Sequence, residues 1–105
     1  MRRGELWWGE FGPPLGSRPV VLISRDSAYD LREFVTVAPV STRVRGIPAE
    51  VRLGRQDGVT RPSAANLDNL STVPKAGLKR RMAALGRGKM RQVDAALHFS
   101  LGLED

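Results

Sequence analysis

Two polar clusters interrupt otherwise apolar stretches of the sequence. Gly16-Ser17-Arg18-Pro19 stands directly before a β-branched run, and Pro39-Val40-Ser41-Thr42-Arg43 closes another. Each brings an arginine and a hydroxyl to the end of a strand-like segment. A guanidinium donates two parallel hydrogen bonds to neighbouring anionic oxygens and a hydroxyl adds a further donor, so this combination suits a phosphoryl group. A strand end also holds such side chains more rigidly than a loop tip does. Taken singly the residues are ordinary: Arg18 reads as a solvated strand-edge arginine, and Ser41 and Thr42 as turn residues. Further basic side chains lie close by in STRVRGIPAEVR (Arg43, Arg45 and Arg52) and in the run Lys79-Arg80-Arg81. Trp7 and Trp8 are adjacent, so on a strand they face opposite sides, one to the core and one available to stack on a base.

Composition removes several chemistries. The 105 residues contain no cysteine, hence no disulfide framework, thiolate nucleophile or cysteine zinc site. The single histidine, His98, cannot form a two-histidine acid/base pair, and with Arg91 and Asp94 nearby it reads as a surface residue. Glu50-Val51-Arg52, with Asp30 upstream, matches half of an acidic-x-basic nuclease motif, but two-metal nucleases need a denser carboxylate cluster. No metal and no cofactor is expected. With 17 Lys+Arg against 11 Asp+Glu, the net charge of +6 favours a polyanionic partner.

The elements that must position these residues are short. Glu5–Phe11 reads as a strand running into the turn Gly12-Pro13-Pro14, and Pro19–Ser24 as a strand buried on both faces. Ser27–Glu33 suits one helical turn capped by Asp26 or Ser27. Phe34–Val40 is a further strand, with Pro39 expected to end its pairing. Ala49–Leu53 alternates as a half-exposed strand, and two more short strands are expected within Pro62–Val73, around Asn66 and Asp68. From Lys89 onward, Met90, Val93, Leu97 and Leu101 recur at helical spacing, with Arg91, Asp94 and His98 on the other face. Short strands followed by one helix predict a single mainly β domain, a small barrel or strongly bent sheet with a C-terminal α-helix packed on it. There is no signal-like segment and no apolar run near the roughly 18 residues of a membrane span, so a soluble cytoplasmic protein is expected, with no membrane partner.

In order and spacing, RGELWW-x-x-F-G-P-P, GSRPVVLIS, VAPVSTRVRGIPAEV, NLDNLSTV and KMRQVDAALHFSLGL resemble the MazF/PemK/Kid toxins, the ribonuclease halves of toxin-antitoxin pairs. The resemblance covers nearly the whole chain. It implies an SH3-like β-barrel, related to that of the gyrase poison CcdB, assembled as a symmetric homodimer with an RNA groove. It also implies metal-independent cutting of single-stranded RNA and silencing by an antitoxin with an acidic, disordered segment. The family's catalytic arginine and threonine fall here on Arg18 and Ser41, the second a departure that keeps the hydroxyl. Asp68 aligns with an aspartate assigned as general base in some members, and Asn69 with a glutamine that lines the RNA site. Ser17, Thr42, Arg43, Arg45 and Asn66 complete the expected RNA-binding set. The segment between Pro13 and Arg18 is shorter than in many relatives. Two other functions fit the same architecture: a gyrase-directed poison, which would not need Arg18 and Ser41, and a non-catalytic RNA-binding barrel.

Overall fold

A computed structural model describes residues 1–103. The element order is β1 (Glu5–Glu10), β2 (Ser17–Leu22), α1 (Ala28–Leu31), β3 (Phe34–Ser41), β4 (Glu50–Leu53), β5 (Ser63–Asn66), β6 (Ser71–Pro74), β7 (Leu78–Ala84) and α2 (Arg87–Ser100). Seven antiparallel strands run in the order β4-β5-β3-β2-β1-β7, with β6 also on β3. Among the described residues the outer strands β4 and β7 do not pair with each other, so the sheet of the expected barrel is not closed.

Strand alternation sorts the apolar residues into two cores. On β2 and β3, Val21, Ala38 and Val40 point to one side, where they meet Leu6, Val51, Leu53, Ala65 and Leu67 and are covered by Val93 and Ala96 of α2. Val20, Leu22, Val35 and Val37 point to the other side, covered by Ala28 and Tyr29 of α1, Val73 of β6 and Leu78, with Trp7, Phe11 and Leu15 at the margin. The PVVLIS segment is thus buried on both faces as its composition predicts. Trp7 belongs to the second core. Trp8 faces the other way, beside Pro19, Thr42 and Arg80.

Two expectations need correction, and one stretch left without an element gains one. Pro39 does not end pairing: it lies opposite Val20, and β3 continues to Ser41. The Thr36 carbonyl accepts from Ile23 N–H on the β2 side, so odd-numbered residues of β3 turn their backbone polar groups to the opposite edge. There β6 ends at Val37 and β5 begins at Val40, and the missing N–H of Pro39 falls in the gap between them. Asp68 is in a turn between β5 and β6, not on a strand, because Asn66 Oδ1 accepts from the Asp68 N–H (2.9 Å) and reverses the chain. The basic run Lys79-Arg80-Arg81 is part of β7, paired to β1 through two register shifts.

The free edge of β4 is covered by Lys89 of α2, whose ammonium donates to the Arg52 carbonyl (2.7 Å) and lies 3.7 Å from the buried Asp57 carboxylate. Tyr29 donates to the Ser24 carbonyl, and burial, reinforced by Asp26, pushes its phenol up to about 12. Burial alone would raise the Glu5 carboxyl. Hydrogen bonds from Trp7 Nε1, Arg81 Nε and the Arg2 N–H outweigh that and hold it below its ordinary value. No helix among the described residues is long and apolar enough to cross a membrane.

Candidate RNA-cleaving site

The second core runs out of cover beyond Val20 and Val37, and the residue types on that face change with it. The β2–β3 register pairs Val20 with Pro39 and Leu22 with Val37, and by alternation Arg18 and Ser41, each two residues beyond the Val20–Pro39 pair, turn to the same face. From β3 the face continues onto β5 and β4, where Ser41 opposes Ala64, Asn66 opposes Glu50, and Arg52 opposes Ala64. The result is a concave cavity of about 350 Å³ lined by Arg18, Pro39, Ser41, Arg43, Arg45, Glu50, Ala64, Asn66 and Asn69. Pro39 and Ala64 form a small, flat floor. A second depression of about 240 Å³ adjoins it, sharing Arg18, Pro39 and Asn69 and extending along Pro14, Leu15 and Ser71.

Arg18 is half-buried, and its Nε donates to the Leu15 carbonyl of the β1–β2 hairpin at 2.7 Å. That bond fixes the stem and leaves both terminal nitrogens for a ligand. Ser41 Oγ accepts from the Arg43 N–H at 3.0 Å, so its own O–H is free to donate. Asn66 is similarly oriented: its Oδ1 is taken by the Asp68 N–H, which leaves the amide N–H₂ as the group it can offer. The ion pairs among the described residues are Arg3–Asp94, Arg81–Glu5 and Lys89–Asp57. Arg18, Arg43 and Arg45 are in none of them, so the cavity carries uncompensated positive charge apart from Glu50. Among the described residues no group of three His, Asp or Glu side chains comes together to hold a metal.

Of the residues expected from sequence, Arg18, Ser41, Arg43, Arg45, Asn66 and Asn69 converge here. Ser17 does not, since alternation turns it to the opposite face from Arg18, where it is exposed. Thr42 likewise lies on the other side of β3, in a separate depression with Trp8, Arg61 and Arg80. Trp8 therefore stands away from the cavity. Asp68, exposed in its turn, does not line the cavity; the carboxylate there is Glu50. Sequence reasoning passed over Glu50 as a cavity residue because its place depends on the β4–β5 register, although the alternation of β4 already turned it away from the core.

A model of the PemK-like, MazF-like toxins of type II toxin-antitoxin systems matches residues 2–101. The chain belongs to this family. It is similar to the probable endoribonuclease MazF5 of Mycobacterium tuberculosis, with 40% identity over 100 residues, 94% of this chain and 91% of that protein. The probable endoribonuclease MazF2 of the same species is 32% identical over 103 residues, 97% of this chain and 99% of its own. Among solved structures, a mycobacterial endoribonuclease in complex with its cognate antitoxin matches with a TM-score of 0.88 at 25% identity, covering 98% of this chain and 96% of that one. The Mycobacterium tuberculosis toxin MazF-mt6 matches with a TM-score of 0.86 at 26% identity, covering 93% and 96%. The mainly β fold with a C-terminal helix is therefore that of the MazF toxins. The cavity at the ends of β2 and β3 is the place on this MazF-family chain where Arg18, Ser41, Arg43, Arg45, Asn66 and Asn69 come together.

Proposed function

We propose that the chain is the toxin of a toxin-antitoxin pair and acts as an endoribonuclease on single-stranded RNA, with Arg18 and Ser41 at the scissile phosphate. The observation that carries this reading is that an anchored guanidinium and a hydroxyl with a free proton line the same cavity. A gyrase-directed poison would have no use for that pair.

The chemistry needs no external nucleophile. The ribose 2′-oxygen attacks the adjacent phosphorus, its proton leaves, and the bond from phosphorus to the 5′-oxygen breaks in line as that oxygen takes up a proton. The products are a 2′,3′-cyclic phosphate and a 5′-hydroxyl. Charge accumulating on the phosphoryl oxygens is what the protein must stabilise, and pre-placed charged donors do this without reorganising. An arginine guanidinium does not give up its proton in proteins, so Arg18 serves as a clamp and not as a proton carrier. Asp68, expected as the base, lies outside the cavity and has no part in this reading. Arg43, Arg45, Asn66 and Asn69 line the path on which unstacked bases present their edges, which an A-form duplex hides.

The partners follow from the same surface. Three unpaired arginines suit the acidic, disordered segment of an antitoxin, which would fold on binding and occupy the RNA path. A homodimer, as the family resemblance implies, would cover apolar surface such as the exposed Phe99, Leu101 and Leu103 at the end of α2. The test is incubation with a long single-stranded RNA in EDTA, followed by mapping of cut sites and ends. Discrete cuts leaving 5′-hydroxyls support the proposal. Cutting only with added Mg²⁺, or none by folded protein, refutes it and favours a gyrase-directed or binding-only role.

A further inference from the structure

The segment between β3 and β4, residues 42–49, carries Arg43 and Arg45 to the cavity without belonging to any strand or helix. Its backbone hydrogen bonding is sparse: within it, the Ile47 carbonyl accepts from the Glu50 N–H and the Ala49 carbonyl from the Leu67 N–H, both at its far end. The near half is held differently. Glu50, the first residue of β4, turns its carboxylate back over the loop. Its Oε1 accepts from the Arg45 N–H (2.9 Å) and the Gly46 N–H (2.8 Å), and its Oε2 lies 3.3 Å from the Arg45 nitrogen. The loop can curl back in this way because Gly46 adopts φ +71°, a left-handed conformation that glycine takes without strain. At the other end of the same stretch, the Arg43 N–H is tied to Ser41 Oγ. The basic loop is thus stapled at two points, one on the hydroxyl at the cleavage centre and one on a carboxylate in the cavity wall.

We infer that Glu50 is a positioning residue that fixes the Arg43–Gly46 loop over the RNA path, so that the arginines meet the substrate in a set register. This rests on the ribonuclease reading above and deepens it by naming what holds the substrate-binding loop. An anion inside a phosphate-binding cavity works against the binding of a polyanion, so its place there requires a compensating role. Two backbone N–H groups on one carboxylate supply that role: charge-assisted hydrogen bonds to a carboxylate are stronger than neutral ones. They also spend its negative charge on the loop. A freed loop would still carry its arginines, but would pay for ordering on each encounter with RNA.

The test compares wild type with Glu50→Gln and Glu50→Ala on a fluorescent single-stranded RNA containing a mapped cut site. Gln keeps one carbonyl oxygen for the two N–H groups, and Ala keeps none. The expected result is a KM about tenfold higher for E50A with a smaller fall in kcat, a broader set of cut sites on long RNA, and partial rescue of both in E50Q, whose one carbonyl oxygen accepts without charge. If both variants instead lose most of kcat with KM little changed, the carboxylate acts in proton transfer and the positioning role is wrong. If E50A cuts with wild-type KM and the same sites, the proposal is equally overturned. Amide exchange in the wild-type protein gives a reading that no folding failure can obscure. The Arg45 and Gly46 N–H groups should exchange more slowly than exposed loop amides, and exchange at unprotected rates would contradict the staple. Absence of RNA cleavage by wild type would strike the ribonuclease reading alone, since amide protection would still report on Glu50.

Discussion

Replacing Arg18 with lysine keeps the positive charge and removes the fork. In the wild type, the bond from Nε to the Leu15 carbonyl (2.7 Å) fixes the guanidinium while its two terminal nitrogens remain for the phosphate. A lysine ammonium is a single flexible point of charge, and whichever group it contacts, it cannot hold the carbonyl and chelate two oxygens in one plane. The loss is therefore at least one charge-assisted hydrogen bond of about 1.5–3 kcal/mol, which is roughly 10- to 100-fold in rate if the bond forms with the transition state. Arg18→Ala forfeits the charge as well and should cost about 10³-fold, the upper range for removing a donor from an oxyanion-stabilising site. Single-turnover cleavage of an end-labelled oligonucleotide at saturating protein isolates the chemical step, and matching thermal melts show that the variants are folded. R18K within twofold of the wild-type rate would refute the argument that an anchored fork, and not charge alone, stabilises the reaction.

Three other substitutions probe separate parts of the molecule. Ser41→Ala removes both the proton that Ser41 can donate and the Oγ that accepts from the Arg43 N–H, and should slow single-turnover cleavage about 10- to 100-fold, whereas Ser41→Thr keeps both and should retain most of it. Gly58, at φ +106°, would set an added Cβ 2.5 Å from the Ala83 Cβ; Gly58→Ala should cost about 1–3 kcal/mol and lower Tm by at least about 4 °C, read by thermal denaturation. The Tyr29 phenol is raised from 10.0 to about 12, so the neutral form is favoured in the folded state; its contribution is complete below pH 10, and is lost as pH climbs from there through about 12. Urea midpoints over that range should fall less steeply for Tyr29→Phe than for wild type, and identical slopes would contradict the buried phenol.

Much of the architecture is legible in the chain because it depends on local pattern. PVVLIS announces a strand with both faces covered, and the structure divides it between two cores, with Val20 and Leu22 on one side and Val21 on the other. The C-terminal periodicity finds α2, whose Val93 and Ala96 are buried, but the helix begins at Arg87 and ends at Ser100, leaving Leu101 exposed past its last turn. β7 escaped because Lys79-Arg80-Arg81 reads as a charge run, and because its bulged pairing with β1 breaks the simple alternation. The site divides along the same line. Arg18 and Ser41 stand out as polar residues at strand ends, and strand alternation turns both into one cavity. Thr42 and Ser17 lie outside the cavity for one reason, the face to which each position points. Asp68 lies outside the cavity lining, in the turn that the Asn66 side chain closes. The role of Glu50 depends on a loop folding back, which no periodicity encodes.

The central claim is that the nucleophile is the substrate's own 2′-hydroxyl, aligned by Arg18 and Ser41. The most direct measurement uses an oligonucleotide that is deoxyribose throughout except for one ribose on the 5′ side of a mapped cut, in EDTA, alongside the same strand carrying 2′-O-methyl at that position. The account predicts one cut in the first, yielding a 2′,3′-cyclic phosphate and a 5′-hydroxyl, and none in the second. Cleavage of the 2′-O-methyl strand at a comparable rate would mean that water or a protein group attacks the phosphorus, and would contradict the account at its centre.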